Sequence, residues 1–234
     1  HRAFTTVLSC EVSEQSGHSV TLRVHAAHGG NAVEPVLTGI IEYTVFGSGE
    51  ISVKLDMNVR EDLPPVPRIG MSFVLPKSAE HLQYYGMGPG ENYRDLCHCA
   101  RMGLFRSTVD EQYEPYVRPQ DCGNHTGTKW LFVHDRSGRG LMFKTRNEFE
   151  FSALHYSVQD LDDAMYTRDL ERQDETFVHI DYKQAGVGSA SCGPELDPLY
   201  QLSEKHIEFG FSVCPIFQGK SDVSETGRWF QRKS

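Results

Sequence analysis

Glu91 and Asp95 sit in a glycine-rich run, Gly86-Met87-Gly88-Pro89-Gly90-Glu91-Asn92-Tyr93-Arg94-Asp95, that brings backbone and carboxyl groups close to whatever the loop faces. Two carboxyl groups are what glycosidic acid/base chemistry uses, held about 5 to 9.5 Å apart across a cleft. The chain carries 32 acids, so spacing alone selects no pair. The favoured reading is simpler: both acids accept hydrogen bonds from nearby backbone N–H groups and fix the loop. The same run superficially suggests a phosphate cradle, but the lysine and the following Ser/Thr of that motif are missing, and the reading is rejected.

Cys97-His98-Cys99, followed by Cys122 and His125, could supply soft ligands to zinc. In an extended strand Cys97 and Cys99 would face one way and His98 the other. A zinc clip favours two to four intervening residues where this sequence has one, so no metal site is assigned. Cys192, in Gly186-Val187-Gly188-Ser189-Ala190-Ser191-Cys192-Gly193-Pro194, is a conceivable nucleophile on an exposed loop. With no partner base or helix N-terminus in view, an inert loop cysteine is preferred.

A chain of 234 residues, 38% hydrophobic and 24% charged, can bury a core of its own, and one large domain is expected. The formal net charge of −9 argues against affinity won by neutralising phosphates or anionic lipid, so neither nucleic acid nor membrane is an expected partner. No run approaches the roughly 18 apolar residues of a membrane span, and mean hydropathy is −0.45. A soluble chain is expected. His1 opens it without the charged and apolar segments of a signal peptide, as if the start were cut. Six cysteines in this length fall short of a disulfide scaffold, which points to reduced thiols and the cytoplasm.

The elements that must position these residues read as strands. Val20, Leu22 and Val24 alternate with polar neighbours between His18 and Ala26. Val36 to Phe46, the break Gly47-Ser48-Gly49, and the alternation of Ile51, Val53, Leu55, Met57 and Val59 predict a hairpin. Glu61 to Pro67, with three prolines, is a connector, because proline cannot donate to a ladder. Further strands are expected at 69–75, 129–134, 141–144, 149–153, 176–182, 200–202 and 206–215. Ser157 to Leu170 predicts one short helix, with Ser157 as N-cap and Asp160 three residues on. Many short strands and little helix argue for an all-β sandwich of antiparallel sheets. Gln218 to Ser234 is a polar tail without a clear period, apart from Trp229 and Phe230.

Taken as a block, Phe73 to Val213 resembles the C-terminal domain of the β-galactosidases of glycoside hydrolase family two, a domain also found as the small subunit of heterodimeric forms. The motifs that carry the resemblance are the Gly86–Asp95 run and Tyr113-Glu114-Pro115-Tyr116-Val117-Arg118-Pro119-Gln120-Asp121-Cys122-Gly123-Asn124-His125. After them come Phe151-Ser152-Ala153-Leu154-His155-Tyr156-Ser157, and Asp181-Tyr182 leading into the Gly186 to Leu196 loop.

The resemblance implies an antiparallel supersandwich of the galactose mutarotase-like type over residues 1–217, with the N-terminal strands of the domain missing and 218–234 as a tail. Bare strand edges would invite pairing between copies, and hence a homo-oligomer. It also implies that the nucleophile and acid/base glutamates lie on a (β/α)₈ barrel. This chain lacks the eight alternating units and the roughly 250 residues of such a barrel, so no catalytic residue is assigned to it and alone it is expected to be inactive. Its implied partners are the catalytic barrel or large subunit and the galactoside. No cofactor is expected in this chain; magnesium and sodium would belong to other domains of the parent enzyme.

In members of the family a loop of this domain places a tryptophan at the rim of the sugar site. Here Cys192-Gly193 stands where some members have Trp-Ser, in a loop one residue shorter. Ser191, Cys192, Gly193 and Glu195 are therefore expected at the rim, tuning aglycone choice, with a plain structural turn as the competing reading. Glu91, Asn92, Asp95, Gln120, Asp121 and His125 are expected to form polar loop networks. Two other functions stay open. A stand-alone carbohydrate-binding sandwich would need exposed aromatics, with Tyr84, Tyr85, Trp130 and Tyr182 as candidates, although alternation places most of them in the core. An aldose 1-epimerase is suggested by fold analogy only, and no acid and base pair is found for it.

Overall fold

The computed structural model describes residues 3–30, 34–188 and 193–217. In chain order its elements are β1 (Phe4–Gln15), β2 (Ser19–Gly29), β3 (Leu37–Phe46), β4 (Ile51–Val59), β5 (Arg68–Leu75), β6 (His81–Gly88), β7 (Arg101–Thr108), β8 (His125–His134), β9 (Gly140–Leu154), α1 (Val158–Asp163), β10 (Thr176–Gln184) and β11 (His206–Ile216). The class is all-β and antiparallel, as alternation and turn chemistry predict. The chain separates into two compact units, one of residues up to Val66 with Leu202–Pro215, the other beginning with Pro67–Gln201.

In the first unit the strands run in the order β1-β2-β3-β4-β11. The predicted hairpin is β3 and β4, closed by the turn at Gly47 to Gly49 and registered Ile41 to Leu55 and Tyr43 to Val53. One face is apolar across the whole unit: Leu22 pairs with Tyr43, Val53 with Phe211, and Leu55 with Phe209. Burial on that face grades from Val53 and Ile207, almost fully covered, to Val12 on β1, which is 56% exposed. The alternation that predicts strands here is thus the alternation of one buried face.

The second unit orders its strands β7-β6-β8-β9-β10-β5. Its core holds Leu82, Tyr84, Leu131, Phe132, Met142, Phe143, Phe149, Phe151 and Ile180. The two strands expected at 141–144 and 149–153 are one, β9, interrupted by a bulge: Trp130 pairs with Lys144 and Thr128 with Phe149. The polar residues 145–148 fall between these pairs in the register, and 146–148 are exposed, which is why the pattern reads as a gap. The strand expected at 200–202 is instead a 3₁₀ turn over Pro198–Tyr200, with Pro198 at its first position and Asp197 accepting the Leu199 N–H. Only Leu202 keeps a bridge, to Val66.

The helix forms with the predicted cap: Ser157 Oγ accepts the Asp160 N–H at 3.1 Å and Asp160 accepts the Ser157 N–H at 2.8 Å. It ends at Asp163 rather than running to Leu170. Asp162 and Asp163 in its last turn oppose the negative end of the helix dipole, and a 3₁₀ turn at Thr167–Asp169 follows. Cys97-His98-Cys99 is not an extended strand but the start of a turn, with Ala100 N–H bonded to the Cys97 carbonyl at 3.0 Å. Among the described residues no two cysteines form a disulfide with one another. Ser191, Cys192 and the 218–234 tail lie outside the described residues.

Candidate functional site

Strands β6 and β8 bring the ends of two sequence motifs together in the second unit, and Asn92 ties them. Its side chain is fully buried. The amide donates to the Met87 and Gly90 carbonyls, both at 3.1 Å, and its oxygen accepts the Thr126 N–H at 2.9 Å and hydroxyl at 2.6 Å. That uses both donors and both lone pairs of the amide. Glu91 accepts the Gly123 N–H at 2.8 Å and the Tyr93 hydroxyl at 3.1 Å, and Tyr116 donates to its other oxygen. The Gly123 position, at φ 72° and with Gln112 O close to where a Cβ would stand, admits only glycine without strain.

His125 is buried, with its ring nitrogens 3.2 Å from the Met87 carbonyl and 2.6 Å from Gln112 Oε1. Burial holds its pKa down to about 4 against the Met87 hydrogen bond that raises it, and its ring, 4.8 Å from that of Phe151, packs in the core. Gln120 is exposed and takes no part in the hydrogen bonds around Glu91 and Asn92.

Asp121 belongs to a set of charges with Arg68, Asp181 and Glu150, the last two buried, and of the four sequence reading named only Asp121 as a network residue. Arg68 forms ion pairs with Asp121 and Asp181. Burial pushes Asp181 up to about 6 although Arg68 draws it back, and burial raises Asp121 as well. For Arg68 the two acids outweigh desolvation and raise its pKa. Glu150 accepts from Asn124 Nδ2 at 3.0 Å and from the Gln184 N–H at 3.2 Å. Its carboxyl is pushed up to about 7, first by burial, with repulsion from Asp181 adding to it. The partners are 113 residues apart for Arg68 and Asp181, and 26 apart for Asn124 and Glu150, so no local spacing signals them.

Asp95 faces a different segment. Its two carboxylate oxygens accept the N–H groups of Val187, at 3.0 Å, and Gly188, at 2.8 Å, at the start of the loop predicted at a sugar rim. Gly193 and Glu195, on the far arm of that loop, are exposed.

Among the described residues the group able to offer three ligand atoms within 4.8 Å of one another is Glu80, Asp110 and His155. Arg172 donates to Asp110 at 2.9 Å and to Glu80 at 3.3 Å, so a guanidinium already supplies the positive charge there. The thiol of Cys122 is pushed up to about 12 by burial, which leaves it unsuited to ligate or attack. Tyr84 and Trp130 are buried and offer no face to a sugar; the Tyr84 hydroxyl donates to the Pro89 carbonyl at 3.0 Å. No helix among the described residues is long and apolar enough to cross a membrane.

Comparison with known proteins gives this architecture its context. The family model described as β-galactosidase small chain matches residues 2–213. A β-galactosidase of Staphylococcus xylosus is 36% identical over 194 residues, covering 83% of this chain and 19% of that protein. One from Actinobacillus pleuropneumoniae is 32% identical over 200 residues, 86% of this chain and 19% of that protein. One from Priestia megaterium is 36% identical over 163 residues, 69% and 16% respectively. The chain therefore spans about a fifth of the length of the curated relatives it matches. With the match extending through both units and every loop motif described above, the chain belongs to the β-galactosidase small chain family.

Proposed function

We propose that this chain is the non-catalytic C-terminal domain of a retaining β-galactosidase acting on terminal β-D-galactosides, in which residues 1–217 brace the catalytic barrel or large subunit and one loop shapes the rim of the sugar site. The observation that carries the proposal is the disproportion of the match: a relative named β-galactosidase aligns with 83% of this chain but with only 19% of its own length.

The carboxylates support it. Glu91, Asp95, Asp121, Glu150 and Asp181 all accept hydrogen bonds or ion pairs from within their own unit. They are committed to holding loops, whereas a retaining mechanism needs two carboxyl groups about 5 Å apart and open to a sugar. Nucleophile and acid/base glutamates are accordingly assigned to the catalytic counterpart. Ser191, Cys192, Gly193 and Glu195 are the proposed rim residues, setting aglycone preference through backbone shape and one polar contact. No cofactor is proposed in this chain; magnesium and sodium are placed in other domains of a cytoplasmic parent enzyme. Strand β1, which among the described residues pairs with β2 alone, is the proposed edge for association between copies.

The test is direct. The purified chain incubated with an aryl β-galactoside releases no galactose, and adding the catalytic counterpart restores turnover. Galactose release by the chain alone, or undiminished turnover by the counterpart without it, would overturn the proposal.

A further inference from the structure

Resting on the rim reading above, we infer that Asp95 is the positioning residue of the rim loop: its carboxylate clasps the loop's neck and thereby sets where the loop stands over the substrate. The clasp is built from residues far apart in the chain. Asp95 lies 92 and 93 positions before the N–H groups it accepts, those of Val187 at 3.0 Å and Gly188 at 2.8 Å. Two successive backbone N–H groups turned to one side, the second on a residue at φ 63°, form a small anion-binding concavity, and here the anion is a side chain of the protein itself. Charge-assisted bonds of this kind are shorter and stronger than neutral ones.

The surroundings are shaped for that contact. A Cβ at Gly186 would stand 2.5 Å from the Asp95 carboxyl carbon, so only glycine lets the backbone come this close. The Gly186 N–H is taken by the Tyr200 carbonyl at 3.0 Å, which stops the entering arm from sliding along the carboxylate. The returning arm meets the entering one: a Cβ at Gly188 would lie 3.4 Å from Leu196 Cβ, and the Leu196 carbonyl is held by Gln201 Nε2 at 3.0 Å. Both feet of the loop are thus pinned within a few residues of each other. Asp95 supplies the carboxylate contact at that neck.

Asp95 touches no reacting atom, so its effect should appear in substrate discrimination rather than in the chemical step. The experiment uses the assembled enzyme in three forms besides wild type: D95N, which removes the charge; G186A, which drives a methyl into the clasp and leaves the charge; and a variant with residues 189–195 replaced by a glycine-serine linker of equal length. Hydrogen exchange of the segment around Val187 and Gly188 should speed up roughly tenfold in D95N. The ratio of kcat/KM for a bulky aryl galactoside to that for a small alkyl galactoside should shift in the same direction in D95N and G186A, with the melting temperature within about 2 °C of wild type. Unchanged exchange at Val187 and Gly188 overturns the clasp. Faster exchange with an unchanged ratio, while the linker variant does change it, overturns the positioning role and leaves the rim reading standing. An unchanged ratio in the linker variant removes the rim reading itself, and the role of Asp95 with it.

Discussion

The two units of this chain are held together by different physics. Among the described residues with buried polar side chains, Thr21 is in the first unit, and Asn92, Gln112, Asn124, His125, Glu150, His155 and Asp181 are in the second. The first unit is a sheet whose stability comes from one apolar face, a non-directional force that tolerates change wherever burial is incomplete. The second is a strand framework carrying long loops, and those loops are tied down by directional bonds between groups that cost heavily when left unpaired. The comparison teaches where substitutions should matter: in the second unit at its charged and amide residues as well as in its apolar core, in the first only where the apolar face is covered.

The sharpest way to break that contrast is Arg68→Ala. It strips the cation from Asp181, which is 2% exposed, and from the half-buried Asp121, so that the Asp181 carboxyl is left in the interior without its counter-charge. A loss of about 3–5 kcal/mol is expected, read from urea unfolding, and adding Asp181→Asn should recover part of it. A loss below about 1 kcal/mol would mean that the ion pairs do not hold the second unit.

A smaller effect, with a signature of its own, is expected from Glu150→Gln. The folded pKa of Glu150, about 7, lies above its ordinary value of 4.5. The folded state therefore binds the extra proton between these values, and the stabilisation present below about pH 4.5 is lost as pH rises through 7. The variant should abolish that decline, a difference on the order of 2 kcal/mol between its pH profile and that of wild type. The histidines act the other way. Burial depresses His125 and His179 to about 4 and 3, so they cost stability as pH falls below 6.5. Their contribution is common to both proteins and cancels in the comparison. Parallel profiles of melting temperature from pH 5 to 8 would show that Glu150 is not held protonated.

The smallest effect is expected in the first unit. Val12→Thr on β1, where Val12 is 56% exposed, should change stability by less than about 0.5 kcal/mol. In the assembled enzyme the same substitution sharpens the contrast. A loss well above that value appearing only there would show that the apolar face of β1 is covered by the catalytic counterpart.

Which strands can be read from sequence follows from the same contrast. β4 and β11 announce themselves because alternate side chains are buried and exposed along them, and β3 through the glycine turn that joins it to β4. β1, β6 and β7 do not. β1 is exposed along its whole length and carries register shifts between Val7 and Ser9 and between Val12 and Glu14, which break the period of two. On β7, Met102 and Leu104 face solvent, so apolar type and burial disagree. On β6 the buried face carries Gly86 because Thr128 stands where its Cβ would be, and the Gly-rich composition reads as loop. In the loops, Asn92, Glu91, Asp121 and His125 stand out as polar residues in turn-forming runs, but neither Gln120's absence from their bonds nor the inclusion of Arg68, Glu150 and Asp181 is visible there.

From the amino-acid order alone one obtains the strand-rich class, the capped helix start at Ser157 and the family resemblance of the loop motifs. These depend on residues within a few positions of one another, where backbone geometry dictates which side chains share a face or reach a cap. Only the tertiary structure decides that Asp95 holds Val187 and Gly188, that Arg68 stands between Asp121 and Asp181, and that Glu150 is raised toward neutrality. Such pairs join positions dozens to more than a hundred residues apart. The desolvation and charge that set their behaviour do not exist until the strands between them have paired.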